Sequence, residues 1–481
     1  MRSNSCNRVS SKSYRLKLLT LSVLSALAVA GTQAQTIATP ALSASNTAIV
    51  NEVSGAPQKP LVIAHYMSWF QTPEFSGSWG FWQVNRPTIP RQYWHWPDRK
   101  TTNGCADVAS VYSPVIGPYD SADPDTCEYH ILLAKLAGID AFVADWYGPQ
   151  PSAEHPYDNI GFLAMKKAAE KLDFKVLICW EDRSMFPPIS KGVSTRAEAV
   201  ESGKQMVRYL AKEWFSSPAY LKIDGRPVMT DFAYGQAGNT LNEPWLSAAE
   251  WNQVLQAAQP LPLLIHDWHR HFKAPEFRGY GSVVPWGDTY HGDADRADAF
   301  WAQAEAAVGR HDNLFLSGAV LPGFDNRGCG GWGTDGAIGM TDRRDGKKFR
   351  ATWEDVMRHP VKFVQIATWN DLNEGGTIEP VREVVLHPDI PAQGYGYREL
   401  ETVAEYAGKL KGIKLDHRAL RVPEKLYQAR KLVEQMCANK LAMPPGASAA
   451  SLTQKLDQAR AALLAGDIAA AQSNLAAIEH P

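Results

Sequence analysis

Short, continuous apolar runs recur along this chain between longer segments with helical spacing. Eight runs stand out: Leu61–Ala64, Ala141–Ala144, Val176–Cys179, Pro227–Thr230, Leu263–Ile265, Ser282–Val284, Leu314–Val320 and Phe363–Thr368. Runs that are apolar at every position, rather than at every second one, suit strands buried on both faces. Between them lie helix-like segments at 126–137, 159–171, 196–214, 246–258, 293–309 and 351–358, and another at 397–411 follows the eighth run. Only the connection 266–281 lacks a clear helical pattern. Eight strands with helical crossovers predict a parallel α/β fold, a (β/α)8 barrel over residues 59–415. An open doubly wound sheet is the alternative, but no Gly-x-Gly-x-x-Gly turn directly follows a strand.

Both ends of the chain read differently. Residues 1–34 carry Arg2, Arg8, Lys12, Arg15 and Lys17 with no acid, then a mostly apolar run from Leu18 to Ala30 and the small-residue site Thr32-Gln33-Ala34. This is the pattern of a secretory signal peptide, and the run is short for a membrane span. The expectation is a periplasmic or secreted protein with no stable membrane insertion of the mature chain. Residues 35–58, rich in Ala, Ser, Thr and Pro, read as a flexible leader. From about 416 to 481 tryptophan vanishes and Ala, Leu, Lys and Gln dominate, which predicts a small α-helical extension. Two of its helices should break at Gly466.

Composition narrows the function classes. The 481 residues are 45% hydrophobic and 21% charged, with a formal net charge of −2. Disorder is excluded, and no basic surface points to nucleic acid. Six cysteines fall to five once Cys6 leaves with the signal. Export permits disulfides, and Cys105 and Cys127, in one loop-rich segment, are the expected pair. Nothing in the pattern sets an oligomeric state.

Active sites of such barrels lie where the strands end. In order, the strand ends deliver His65-Tyr66, Asp145-Trp146-Tyr147, Trp180-Glu181, Asp231, Asp267-Trp268, Trp286-Gly287-Asp288, Asp325 and Asn370-Asp371-Leu372-Asn373-Glu374. A carboxylate at one strand end is usually a helix cap or an ion-pair partner. Repetition at almost every strand, with aromatics beside the acids, points instead to a sugar cleft. Acids do the proton work and aromatic faces stack on sugar rings. A metal reading rests on His266, His269 and His271, but no His-Glu-x-x-His accompanies them. No Gly-x-Ser-x-Gly marks a serine nucleophile. Neither a metal nor another cofactor is expected. The candidate catalytic pair is Asp371 and Glu374, with Glu374 as general acid. Candidate substrate-binding residues are His65, Tyr66, Trp96, Asp145, Trp146, Tyr147, Trp180, Glu181, Asp267, Trp268, Trp286, Asp288, Asp325 and Asn370.

Several of these segments resemble glycoside hydrolase families 71 and 99. Ala64-His65-Tyr66-Met67, Ala137-Gly138-Ile139-Asp140-Ala141-Phe142 and Thr368-Trp369-Asn370-Asp371-Leu372-Asn373-Glu374 are similar to family 71 segments. Trp94-His95-Trp96, Pro322-Gly323-Phe324-Asp325 and Gly375-Gly376-Thr377-Ile378-Glu379-Pro380 look like family 99. The resemblance implies a barrel that cleaves α-glycosidic bonds in a poly- or oligosaccharide, as α-1,3-glucanases of family 71 or endo-α-mannosidases of family 99 do. In family 99 a glutamate that helps the sugar's own 2-hydroxyl attack stands where this chain has Asp371; the second acid, Glu374, is kept. A non-catalytic carbohydrate-binding barrel is the alternative.

Overall fold

The computed structural model describes residues 59–149, 157–186, 195–232, 246–266, 280–283, 298–310, 314–333 and 338–479. All eight apolar runs are strands: β1 (Leu61–Tyr66), β2 (Ala141–Trp146), β3 (Lys175–Glu181), β4 (Arg226–Phe232), β5 (Leu263–His266), β6 (Tyr280–Val283), β7 (Leu316–Val320) and β8 (Val361–Ile366). They pair in parallel in the order β6-β5-β4-β3-β2-β1-β8-β7. β6 and β7, the two ends of that path, pack against each other. The result is the (β/α)8 barrel. Every residue of β2 is buried, as a strand between barrel interior and helix layer must be.

Local chemistry starts the helices where they are needed. Numbering the helices of eight residues or more, α1 (Pro124–Leu136) has Pro at its first position and Asp123 accepting from the Asp125 amide. α2 spans Asp158–Leu172. α3 (Arg196–Glu213) and α4 (Ala248–Leu255) both open with a capping box, Thr195/Glu198 and Ser247/Glu250. Such a box satisfies two otherwise orphaned amides. α5 (Asp298–Val308) and α6 (Lys347–Val356) complete the crossovers described. The connection from β5 to β6 lies outside the described residues. Gly161 in α2 matters for the mouth: a Cβ there would meet the Ser68 carbonyl at 2.2 Å, so only glycine lets the helix start this close to the end of β1.

Two apolar clusters extend the barrel core. One joins the long connection after β1 (Trp69, Phe70, Phe81, Trp82, Tyr119) to the segment after β8 (Leu372, Val381, Leu386, Tyr395). It walls the end of the barrel where the strands finish. The other lies beyond α7 (Arg398–Lys411). There α8 (Val422–Cys437), α9 (Ala449–Leu464) and α10 (Ile468–Glu479) bury Leu426, Val433, Leu456 and Leu475 together with Leu132 of α1. The chain breaks at Gly466, φ 81°, between α9 and α10. α8 falls within the helical extension expected over 416–481, of which only α9 and α10 were read as separate helices.

The expected Cys105–Cys127 disulfide is not formed; both thiols are free. Cys127 sits on α1 inside the main core, where its thiol donates to the Ser121 carbonyl at 3.4 Å, and Cys105 belongs to the cluster beside the mouth. Closeness in sequence did not become closeness of sulfurs. Among the described residues no helix is long and apolar enough to cross a membrane.

Candidate active site

The segment after β8 builds the centre of the site. The Thr368 hydroxyl accepts from the Asp371 amide (2.8 Å), and Asp371 Oδ1 accepts from the Glu374 amide (3.1 Å), so a tight turn fixes both acids. Gly375 (φ 65°) completes it. A Cβ there would meet the Asp325 carbonyl at 2.8 Å, whereas the Asp325 amide donates to the Glu374 carbonyl at 2.6 Å. Buried Arg343 braces the turn from below, donating to the carbonyls of Gly375 and Thr377 at 2.7 Å each and pairing with Glu399 at 3.3 Å. Asn373 ties it sideways to the carbonyls of Phe81 and Ala109.

Asp371 is 2% exposed, whereas Glu374 is only half-buried and accepts from Trp332 Nε1 at 2.9 Å. Burial holds the Asp371 carboxyl well above the usual carboxylate range, with the negative charges of Glu374 and Asp145 adding to it against the Glu374 amide bond. Trp332 itself has φ 60° and packs edge-on to Phe81 at 5.5 Å.

The neighbouring strand ends add more acids. Asp145 at the end of β2 lies 3.5 Å from His65 Nε2, and burial lowers the His65 pKa to about 3, so this imidazole is neutral. Asp158, the first residue of α2, accepts from the Ser68 hydroxyl at 2.9 Å; its pKa is raised by burial, then by Asp145 and Glu181. Glu181 binds Arg183 Nε at 3.1 Å, and the same guanidinium donates to the Tyr147 hydroxyl at 3.0 Å. Asp182 is raised by burial and by the charges of Asp231 and Glu181. One chain of electrostatic neighbours therefore runs from β4 round to β8.

Other expected site residues are placed elsewhere. Tyr66, Trp146 and Trp180 are fully enclosed. The Tyr66 hydroxyl joins His130, whose other ring nitrogen reaches Glu379. Trp146 and Trp180 pack edge-on at 5.4 Å and spend their ring N–H groups on Asn159 and Ser184. These three rings offer no face to a cleft. Asn370 is likewise enclosed, bonded to both backbone groups of Met67 and to the Tyr119 hydroxyl. It positions the turn. Asp325 is held by three bonds from Arg327, two from its guanidinium and one from its amide. Trp96, half-buried, lies under Arg99 and edge-on to Trp94. Asp267, Trp268, Trp286 and Asp288 lie outside the described residues, as do His269 and His271. Sequence reasoning missed Trp332, Asp158 and Arg343. Only Trp332 had a local signal, the glycine-rich run Gly328-Cys329-Gly330-Gly331-Trp332-Gly333, which permits the left-handed backbone that aims the indole.

A parallel barrel whose strand ends gather a carboxylate pair and further acids under an indole is built as a sugar-cleaving enzyme. The profile of glycosyl hydrolase family 99 matches residues 57–391, and the chain belongs to that family; it is a glycoside hydrolase. It is 22% identical over 340 residues to the glycoprotein endo-alpha-1,2-mannosidase of Rattus norvegicus, covering 67% of this chain and 68% of the relative. The Mus musculus enzyme of the same description is 20% identical over 337 residues, covering 66% and 67%. Among solved structures, the GH99 endo-alpha-mannosidase from Bacteroides thetaiotaomicron superposes with a TM-score of 0.56 at 18% identity, covering 73% of this chain and 97% of the other. That likeness supports the barrel fold.

Proposed function

We propose that this protein is an endo-acting α-mannosidase that cleaves internal α-mannosidic bonds of an oligo- or polysaccharide, with Asp371 and Glu374 as its acid/base pair. The observation that carries the reading is the turn after β8, which presents one enclosed and one half-exposed carboxyl side by side. Two carboxyls so placed hold one proton between them at neutral pH. Enclosure keeps it on Asp371 in the free protein. When substrate covers Glu374, this proton passes from Asp371 to Glu374, which delivers it to the leaving oxygen and leaves Asp371 ionised as base or as orienting carboxylate. Glycosidic cleavage needs this division between a protonated and an ionised carboxyl. The descriptions of the rat and mouse relatives support the choice of α-mannoside. His65, Asp145, Glu181 and Tyr147 would supply hydrogen bonds to sugar hydroxyls.

Export belongs to the same proposal: residues 1–34 are removed and the enzyme works in the periplasm or outside the cell, where polymeric sugars are met. N-terminal sequencing of secreted protein should begin at Gln35, and an intact Met1 on cytosolic protein would refute this part. The substrate reading is tested by incubating the enzyme with an α-mannan and an α-1,3-glucan. Mannan should shorten to oligosaccharides before free mannose appears. Cleavage of the glucan alone would overturn the choice of sugar.

A further inference from the structure

His95, Asp107 and His387 meet beside the mouth but outside the acid chain, with ligand-type atoms all within 4.8 Å of one another. His95 comes from the connection after β1, which also carries Asp107, and His387 comes from the segment after β8. His95 Nδ1 lies 2.7 Å from Asp107 Oδ1, and His387 Nδ1 lies 3.9 Å from the same oxygen. The other Asp107 oxygen accepts from the Trp96 amide at 3.2 Å. The imidazole rings are tilted by 43° to each other, centroids 4.5 Å apart.

The tautomer of His387 is set by its surroundings. Its Nε2 sits between the carbonyls of Val108 (3.1 Å) and Ser110 (2.9 Å), which only accept, so Nε2 carries the proton. In the neutral ring Nδ1 is then a lone pair aimed at a carboxylate oxygen. His95 is buried, and its Nε2 has no hydrogen-bond partner, so this ring's polar recognition lies wholly on the Asp107 side. Backbone carbonyls that fix the outer nitrogen of an imidazole are the usual support of a metal-ligating histidine. Two imidazoles and one carboxylate form a donor set for a zinc-type divalent ion. Bonds of ~2.0–2.2 Å place tetrahedral ligand atoms about 3.3–3.6 Å apart, and the separations of 2.7 and 3.9 Å bracket that range.

We propose that His95, Asp107 and His387 bind a divalent transition-metal ion, zinc by donor type, with water as its fourth ligand, and that the ion braces the mouth. The ion joins the connection after β1 to the segment after β8. The strip it stiffens also holds the site: the Ser110 hydroxyl donates to the Leu372 carbonyl at 2.6 Å, and the Ala109 carbonyl accepts from Asn373 at 2.8 Å. Both contacts lie between Asp371 and Glu374 in sequence.

The test uses untagged, chelator-treated full-length protein titrated with Zn2+ by calorimetry and followed by thermal unfolding, with Co2+ as a spectroscopic probe of the same site. Wild type should take one equivalent, its Tm should rise, and Co2+ should give tetrahedral ligand-field absorption. His95→Gln and His387→Gln should bind at least the ~10–100-fold more weakly that loss of even a supporting residue costs. Asp107→Asn, which keeps volume and hydrogen bonding, decides the matter if either histidine variant fails to fold. No binding by wild type, or equal binding by all three variants, would overturn the proposal. In the first case the three side chains form an ion-paired cluster only, and in the second the metal sits elsewhere.

Discussion

Asp371 keeps its proton to higher pH in the folded protein than in the unfolded chain. Across that window the folded state binds more protons, so this residue makes stability fall as pH rises from the ordinary carboxylate range through the raised value. Asp371→Asn should therefore raise Tm at pH 7, because the amide oxygen can still accept from the Glu374 N–H, and the gain should vanish near pH ~4. Thermal melts at the two pH values check this, and a variant less stable than wild type at pH 7 would contradict it. The same substitution should lower turnover. Trp332→Phe removes the N–H that aims Glu374 but keeps the ring; kcat should fall roughly tenfold or more, with KM nearly unchanged, since the bond is worth about 1.5–3 kcal/mol as a charged hydrogen bond. At this scale the placement of Asp371 and Glu374 on one turn was legible because their spacing after β8 is local. The aromatics were not. Tyr66, Trp146 and Trp180 sit at strand ends where successive side chains point alternately inward and outward, and in a barrel both directions are apolar. Sequence position past a strand therefore could not separate cleft from core.

The turn after β8 depends on elements remote from it in sequence. Arg343, with a guanidinium that never deprotonates, stands buried against Glu399 and under the carbonyls of Gly375 and Thr377. Arg343→Met would take one of two guanidinium partners from Glu399, the other being Arg398, and the donor from the Gly375 carbonyl, while the Thr377 carbonyl keeps the Tyr395 hydroxyl. A loss of about 1–3 kcal/mol is expected, on the scale of a buried polar group left without a partner, and urea unfolding measures it. A loss below ~1 kcal/mol would show that the turn holds without this brace. Strands and crossover helices were readable because continuous apolar runs and helical spacing are local signals. The α6 boundary shifted toward its N-terminus because Gly346, at φ 80°, precedes Lys347 and starts the helix. α8 lay inside the expected helical extension but was not read as a separate helix, because its stripe, Leu426, Ala429, Val433 and Met436, is narrow and broken by charges whose partners are supplied by α1 and α9.

In the whole molecule, α8 and α9 are fastened to the barrel through α1. Glu128 of α1 receives Arg430 of α8 at 2.6 Å and Arg460 of α9 at 2.8 Å, above the shared apolar contact at Leu132. Glu128→Gln should cost about 1–3 kcal/mol, between an exposed and a buried pair. Leu132→Ala should cost about 2–5 kcal/mol. Both are read as Tm shifts of the full chain, and unchanged melting in both would mean that these helices ride on the barrel without supporting it. No residue spacing could have revealed this docking, since its partners are some three hundred positions apart.

Everything proposed for the reaction depends on Glu374 as the proton donor. The decisive measurement is the turnover of Glu374→Gln on a mannan that wild type has been shown to cleave, with binding followed in parallel by calorimetry. A fall in kcat of at least ~10²-fold with affinity retained is the predicted result. Turnover equal to wild type would contradict it.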